Sequence, residues 1–258
     1  MTDLAYDKQR VAQQFSRAAR SYAEHDQLQR CCAQALLEYL PKHCESLVDI
    51  GCGPASHSAL LAQRTDFYLG MDIAPGMLSQ AQQCQPQLHW LLADVEQLPL
   101  RANSVEVIVA NLALQWCNHL AASLRECARA LQTNGQLLFS TVLAGSMQPL
   151  MRSMQQLDGQ THHNRFLTAQ QLADQLAQVH GMHWQTQYQH FCVSYNSLTA
   201  MLADIKGIGA NYTARVHSGY FGKARWQALE TLMETHRTNQ GVLDLHWDIA
   251  LICGYKKP

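Results

Sequence analysis

The chain has 258 residues, a formal charge of −1 and 47% hydrophobic residues. That length suits one large α/β domain with an insertion better than two equal domains, and the balanced charge removes any global argument for a nucleic-acid partner. The polar segment Met1 to Arg20 reads as neither signal peptide nor anchor, and no apolar run approaches the roughly 20 residues of a spanning helix, so a cytoplasmic protein with no membrane partner is expected.

Residues 7–39 carry helical periodicity: Val11, Phe15, Ala18, Ala19 and Tyr22 recur on one face, and a second amphipathic stretch runs from Leu28 to Leu40 before Pro41 stops it. This prelude is expected to cover a sheet edge or to act as a lid that carries Tyr22. From Leu47 onward, strands predicted at 47–50, 67–71, 88–92, 105–110 and 136–142 alternate with helices at 56–64, 75–83 and 118–131. Short strands separated by helices imply right-handed crossovers and a parallel sheet covered on both faces. Asn134-Gly135 is read as the stop of the helix before the fifth strand.

Beyond Val142 the pattern loosens, with helices expected at 168–179, 197–206 and 223–236 and strands at 183–195 and 247–255. The long separation of those two strands predicts helices inserted there as a cap over the ligand edge. The expected architecture is therefore a doubly wound, mostly parallel, seven-stranded α/β sheet of Rossmann-like type. Its parts are a helical lid (1–45), a core (46–195 and 243–258) and a helical cap insertion (196–242).

One stretch carries the chemistry. Val48-Asp49-Ile50-Gly51-Cys52-Gly53-Pro54 is a strand ending in a turn without side-chain bulk, followed by a helix start, which lets backbone N–H groups approach a nucleotide-like ligand. The next two strands end in Asp72, 19 residues beyond Gly53, and in Ala93-Asp94. Three carboxylates thus arrive at the carboxyl edge of successive strands, where open α/β sheets bind ligands.

The nine cysteines are odd in number and form no Cys-x-x-Cys pair, and several (Cys52, Cys117, Cys192, Cys253) fall inside apparent core elements. Reduced, buried thiols are expected. The thirteen histidines show no His-x-x-x-His spacing, so no metal site is expected.

Two cofactor classes compete for the glycine turn. A dinucleotide fingerprint asks for a third glycine where Ser56 stands, and has no use for Asp49. The set Asp49, Gly51, Gly53, then Met71-Asp72-Ile73, then Ala93-Asp94-Val95, resembles the class I methyltransferases that use S-adenosylmethionine. That resemblance implies that Gly51 and Gly53 approach the methionyl part, that Asp72 bonds the ribose hydroxyls, and that Asp94 with Val95 reads the adenine. Asp49, Ile73, Asn111 and Tyr22 complete the expected cofactor set. Ala55 stands where the family often has glycine, a departure expected to cost little because alanine is small.

Phe15-Ser16-Arg17-Ala18-Ala19, Leu28-Gln29, Leu114-Gln115-Trp116, Asn164-Arg165-Phe166-Leu167 and Lys206-Gly207-Ile208-Gly209-Ala210 extend the likeness over almost the whole chain. Together they resemble the malonyl-[acyl-carrier protein] O-methyltransferase family of biotin synthesis. The implied substrate is the free carboxylate of a malonyl thioester on acyl-carrier protein, or malonyl-CoA. Such a carboxylate is ionised at neutral pH, so no general base is assigned. Arg165 is expected to clamp it, with Tyr22, Gln115, Trp116 and Lys206 shaping the substrate side. His57, at the first turn of a helix, is expected to neighbour the cofactor or cap the helix rather than act as a base. Alternatives kept open are a class I methyltransferase for another small acid or CoA thioester, an NAD-dependent dehydrogenase, and a methyltransferase-like module without catalysis.

Overall fold

The structure, a computed structural model, describes residues 6–159, 166–209 and 222–258. Seven strands form one sheet: β1 (Cys44–Ile50), β2 (Thr65–Asp72), β3 (His89–Leu92), β4 (Val105–Asn111), β5 (Leu131–Val142), β6 (Met182–Tyr195) and β7 (Leu243–Lys256). Their order is β3-β2-β1-β4-β5-β7-β6. The first five run parallel, while β7 inserts antiparallel between β5 and β6. The chain leaves β1 toward β2 and β3 on one side and returns to β4 on the other. The crevice at this switch in direction opens beside Gly51 and Asn111, at the carboxyl ends of β1 and β4.

Strands buried on both faces explain the apolar runs. Leu47, Val107, Val109 and Leu138 point into one core layer, and Val48, Ile50, Ile108, Leu137 and Phe139 into the other. The first layer is covered by α3 (Gln27–Leu37) and by helices of the cap; the second is covered by α6 (Leu120–Ala130) and α8 (Ala169–Ala177). Alternation of inward residues along each strand sorts them between the layers.

The N-terminal prelude is three helices rather than two: α1 (Lys8–Ala18), α2 (Tyr22–His25) and α3. Asp7 caps α1, its carboxylate accepting from the N–H groups of Gln9 and Arg10. The break before α3 is made by Asp26, which is buried and paired with Arg30. Then come α4 (Ser58–Ala62), between β1 and β2, and α5 (Pro75–Cys84), between β2 and β3.

Three expectations fail locally. α6 ends at Ala130, and Asn134-Gly135 lies inside β5, where the register against β4 shifts; the pair makes a bulge, not a helix stop. α7 (Leu150–Asp158) follows Pro149 in a region where no helix was expected, and packs on α10 (Lys223–Glu234). β7 starts at Leu243, four residues before the predicted strand, because it pairs with β6 along its whole length from Leu243 opposite Tyr195. Between β6 and β7 lie α9 (Leu198–Gly207) and α10, the helical insertion before the last strand.

Candidate active site

β1 delivers Asp49 to the sheet tip and ends at Ile50, and the chain then turns through Gly51 and Gly53, both left-handed at φ +70° and +57°. A Cβ on Gly51 would sit 2.4 Å from the Ala113 Cβ, so only glycine lets this turn approach the loop after β4. Ala55 is also left-handed, at φ +72°. The expectation that alanine costs little here considered bulk alone; an L-residue in this region costs roughly 1–2 kcal/mol.

Two chambers meet at this turn. The larger, about 820 Å³, lies under α1 and is lined by Lys8, Phe15, Asp72, Ile73, Asp94 and Trp116, among others. The second, about 600 Å³, lies under α3 and is lined by Gln29, Leu36, Asp49, His57, Val109 and Leu138, among others. Tyr22, Gly51, Gly53 and Asn111 belong to both walls. Val95 also lines the larger chamber.

Each acid is held by hydrogen bonds from its surroundings. Asp72 accepts the Gly53 N–H at 3.0 Å on one oxygen and the Ala74 N–H at 2.8 Å on the other, which ties the tip of β2 to the glycine turn. Asp49, buried at 6% exposure, accepts the Tyr68 hydroxyl at 2.8 Å. Burial raises the Asp49 carboxyl to about 7 against the opposing Tyr68 hydrogen bond, and burial likewise raises Asp72 to about 6. Two buried acids raised in this way are stabilised as carboxylates by a nearby cation, which is what a sulfonium and an α-ammonium provide. With the bare turn and apolar walls at Met71, Met77 and Leu98, these residues fit an adenosyl sulfonium.

Asp94 caps a 3₁₀ turn at Val95–Gln97 by accepting the Glu96 N–H. It also pairs with Lys8 at 2.5 Å, and Glu96 pairs with the same ammonium. Burial pulls the Lys8 ammonium down, but hydrogen bonds to Asp94 and Glu96 outweigh it and hold the group above its usual range. Lys8 went unnoticed in the sequence because a lysine in the first turn of an amphipathic helix looks like any solvated charge. Trp116 contacts the rings of Tyr6 and Phe15, with centroids at 5.6 and 5.2 Å, and so ties the loop after β4 to α1.

In the second chamber, Gln29 Oε1 and His57 Nε2 are buried without a hydrogen-bond partner among the described residues. Burial lowers the His57 imidazole against the pull of Asp26, so it stays neutral at pH 7. The ring stands at the N-cap of α4 without capping it. Asn111 joins the walls through two bonds, donating to the Gln29 carbonyl at 2.9 Å and accepting the Ser140 hydroxyl at 2.7 Å.

The expected substrate residues are only partly brought together. Tyr22 and Trp116 line chambers, while Gln115 donates to the Leu112 carbonyl and lines neither. Lys206 is exposed at the last turn of α9, away from both. Arg165 lies outside the described residues. The thiols are likewise not all buried: Cys192, Cys31 and Cys84 are exposed.

A mostly parallel sheet with this strand order, a glycine turn after β1 and acids at the tips of β1 and β2 and beyond β3 define the class I methyltransferases. Residues 48–139 match the methyltransferase domain family. The chain is 35% identical over 252 residues to a malonyl-[acyl-carrier protein] O-methyltransferase of Serratia marcescens, covering 95% of this chain and 94% of that one. It is 36% identical over 247 residues to a biotin biosynthesis bifunctional protein BioHC of Cellvibrio japonicus, covering 92% of this chain and 48% of that longer protein. Among solved structures, an S-adenosylmethionine-dependent methyltransferase of Mesorhizobium loti shares the fold at a TM-score of 0.54 and 19% identity, over 86% of this chain and 96% of that one. The chain belongs to the malonyl-[acyl-carrier protein] O-methyltransferase family. No helix among the described residues is long and apolar enough to cross a membrane.

Proposed function

We propose that the chain transfers a methyl group from S-adenosylmethionine to the free carboxylate of a malonyl thioester on an acyl-carrier protein, as a step of biotin synthesis. The observation that carries this is the likeness to a so-named relative over 95% of the chain, joined to two chambers that meet at one glycine turn. When bound, the cofactor supplies an electrophilic methyl group on sulfur. The chain's own residues position, shield and charge-match it.

In this reading Asp72 accepts from the ribose hydroxyls, and Asp94 with the Val95 backbone receives the adenine edge while Lys8 stays paired with Glu96. Gly51 and Gly53 admit the methionyl chain, whose ammonium is met by Asp49 and whose polar end is flanked by Asn111. Ile73 packs on the adenosine. Tyr22, shared by both walls, separates the cofactor side from the acyl side. The acceptor carboxylate is already ionised, so the protein needs no base; it aligns donor and acceptor and keeps water out. Arg165 serves the acyl side as a clamp by its guanidinium geometry, while Trp116 lines the chamber that takes the adenosyl group. Lys206, with Lys223, gives the cap exposed positive charge toward an acidic carrier. Arg237 is spent on Glu234 and on the carbonyls of Asn196 and Gly241.

The lid (1–45), core (46–195 and 243–258) and cap (196–242) are parts of this one device. The decisive experiment incubates the protein with S-adenosylmethionine and malonyl-carrier and reads the intact carrier by mass spectrometry. A gain of one methyl group that base hydrolysis removes is expected. An unmodified carrier and unmodified malonyl-CoA, with S-adenosylhomocysteine still bound, would overturn the substrate assignment.

A further inference from the structure

The outer face of the β6–β7 ribbon gathers metal-ligating side chains that the site above does not use. Antiparallel register sets Cys192 opposite His246, His190 opposite Asp248 and Ser194 opposite Asp244. Since successive residues alternate between faces, these six share the solvent side, while Val193, Leu243, Leu245 and Trp247 fill the buried one. Ligand atoms of Cys192, Asp244 and His246 all lie within 4.8 Å of one another. His190 Nε2 is 3.1 Å from His246 Nδ1.

We propose that Cys192, His246 and Asp244, with His190 as the fourth ligand, form a binding site for a zinc-type divalent metal. Two imidazole nitrogens on one tetrahedral zinc stand about 3.3 Å apart, given bonds of about 2.0–2.1 Å, and the two histidines already present that spacing. The ligand atoms of Cys192, Asp244 and His246 draw together from separations of 4.8 Å or less, and His190, outside that trio, joins from its contact with His246; side chains on the outer face of a fixed ribbon reach this by rotamer adjustment. Outer partners are also in place: Asp248 holds His190 Nδ1 at 2.9 Å, and the Ser194 hydroxyl donates to Asp244 Oδ1 at 2.6 Å, leaving its other oxygen for the metal. A carboxylate behind a histidine is the usual arrangement that fixes a ligating imidazole.

A nucleophilic Cys–His pair is the competing use of these groups. The carboxylates of Asp244 and Asp248 share this face, an anionic surrounding that disfavours a free thiolate nucleophile and favours a bound cation, which displaces the thiol proton to solvent. The backbone of His246 also exchanges hydrogen bonds with Met147 and Gln148, so a metal here would brace the segment that leads from β5 to α7.

The test titrates metal-free protein with Co²⁺ as a spectroscopic substitute and with Zn²⁺ against a chromophoric chelator. One equivalent is expected, with a thiolate-to-cobalt charge-transfer band. Cys192→Ser should abolish the band and weaken Zn²⁺ at least tenfold, His246→Gln should weaken it comparably, and Cys84→Ser, at an exposed thiol elsewhere, should change neither. No band in the wild type, or a band that survives Cys192→Ser or vanishes with Cys84→Ser, overturns the site. Circular dichroism confirms that each variant is folded, and should Cys192→Ser not fold, equal Zn²⁺ affinity in His246→Gln and wild type overturns it instead. No step of this test depends on methyl transfer.

Discussion

Asp49 and Asp72 are the residues whose protonation should be visible from outside. Both carboxyls are raised in the folded chain, to about 7 and about 6. The native state therefore holds more protons than the unfolded chain between about pH 4 and pH 7, and their contribution to stability falls as pH rises through that window. A cationic ligand needs the carboxylates, so its affinity should move the opposite way, strengthening from about pH 5.5 to pH 8. Calorimetric titration of S-adenosylmethionine checks this; a flat profile in the wild type, or an unchanged slope in Asp49→Asn, would remove the link.

The left-handed backbone at the turn gives a pair of opposite outcomes. Gly51→Ala should weaken cofactor binding at least tenfold and lower the melting temperature, because the new Cβ meets Ala113. Ala55→Gly should raise stability by about 0.5–1 kcal/mol, or ~1–4 °C in Tm, by releasing the strain at φ +72°. At this scale the acids were legible, since each closes a β-type run. The pairing of Lys8 with Asp94 was not, because it joins residues that only the docking of α1 brings together.

At the scale of elements, α1 is the wall of the larger chamber and Lys8 its fastener on the loop after β3. Partly exposed, such an ion pair contributes on the order of 1 kcal/mol. Lys8→Gln should accordingly speed release of S-adenosylhomocysteine several-fold, read by stopped-flow fluorescence. Trp116 is the natural reporter, since it touches Phe15 of α1 and lines the same cavity; Trp116→Phe should erase most of the binding-induced change. The parallel strands were readable because burial on both faces leaves continuous apolar runs. The bulge at Asn134-Gly135 was not, because the same pair serves equally to end a helix, and only pairing against β4 decides. α7 escaped notice because its apolar positions, Leu150, Met151, Met154 and Leu157, find their partners in α10, far along the chain.

For the molecule as a whole, steering of an acidic carrier predicts a salt dependence confined to one substrate. Catalytic efficiency on malonyl-carrier should fall several-fold between low and physiological ionic strength, while that on malonyl-CoA changes less. Equal salt profiles, or no loss in Lys206→Glu with Lys223→Glu, would remove the basic cap from recognition. The global order of strands followed from the alternation of β and α segments. The cross-strand cluster on β6 and β7 could not follow from it, because its members are adjacent only once two strands separated by the whole cap have paired.

The contact between α2 and α9 bears on how turnover proceeds. His25 Nδ1 is bonded to Asp204 at 2.8 Å, Tyr195 donates to the same carboxylate, and a Cβ on Gly207 would lie 2.0 Å from the His25 ring. The N-terminal helices and the helices inserted before β7 are thereby latched to each other through α2, whose Tyr22 lines both chambers, and those chambers must release two spent molecules every cycle. A catalyst built this way idles at the door: its maximal rate should slow in viscous buffer, as departure of products, more than methyl transfer itself, sets the pace.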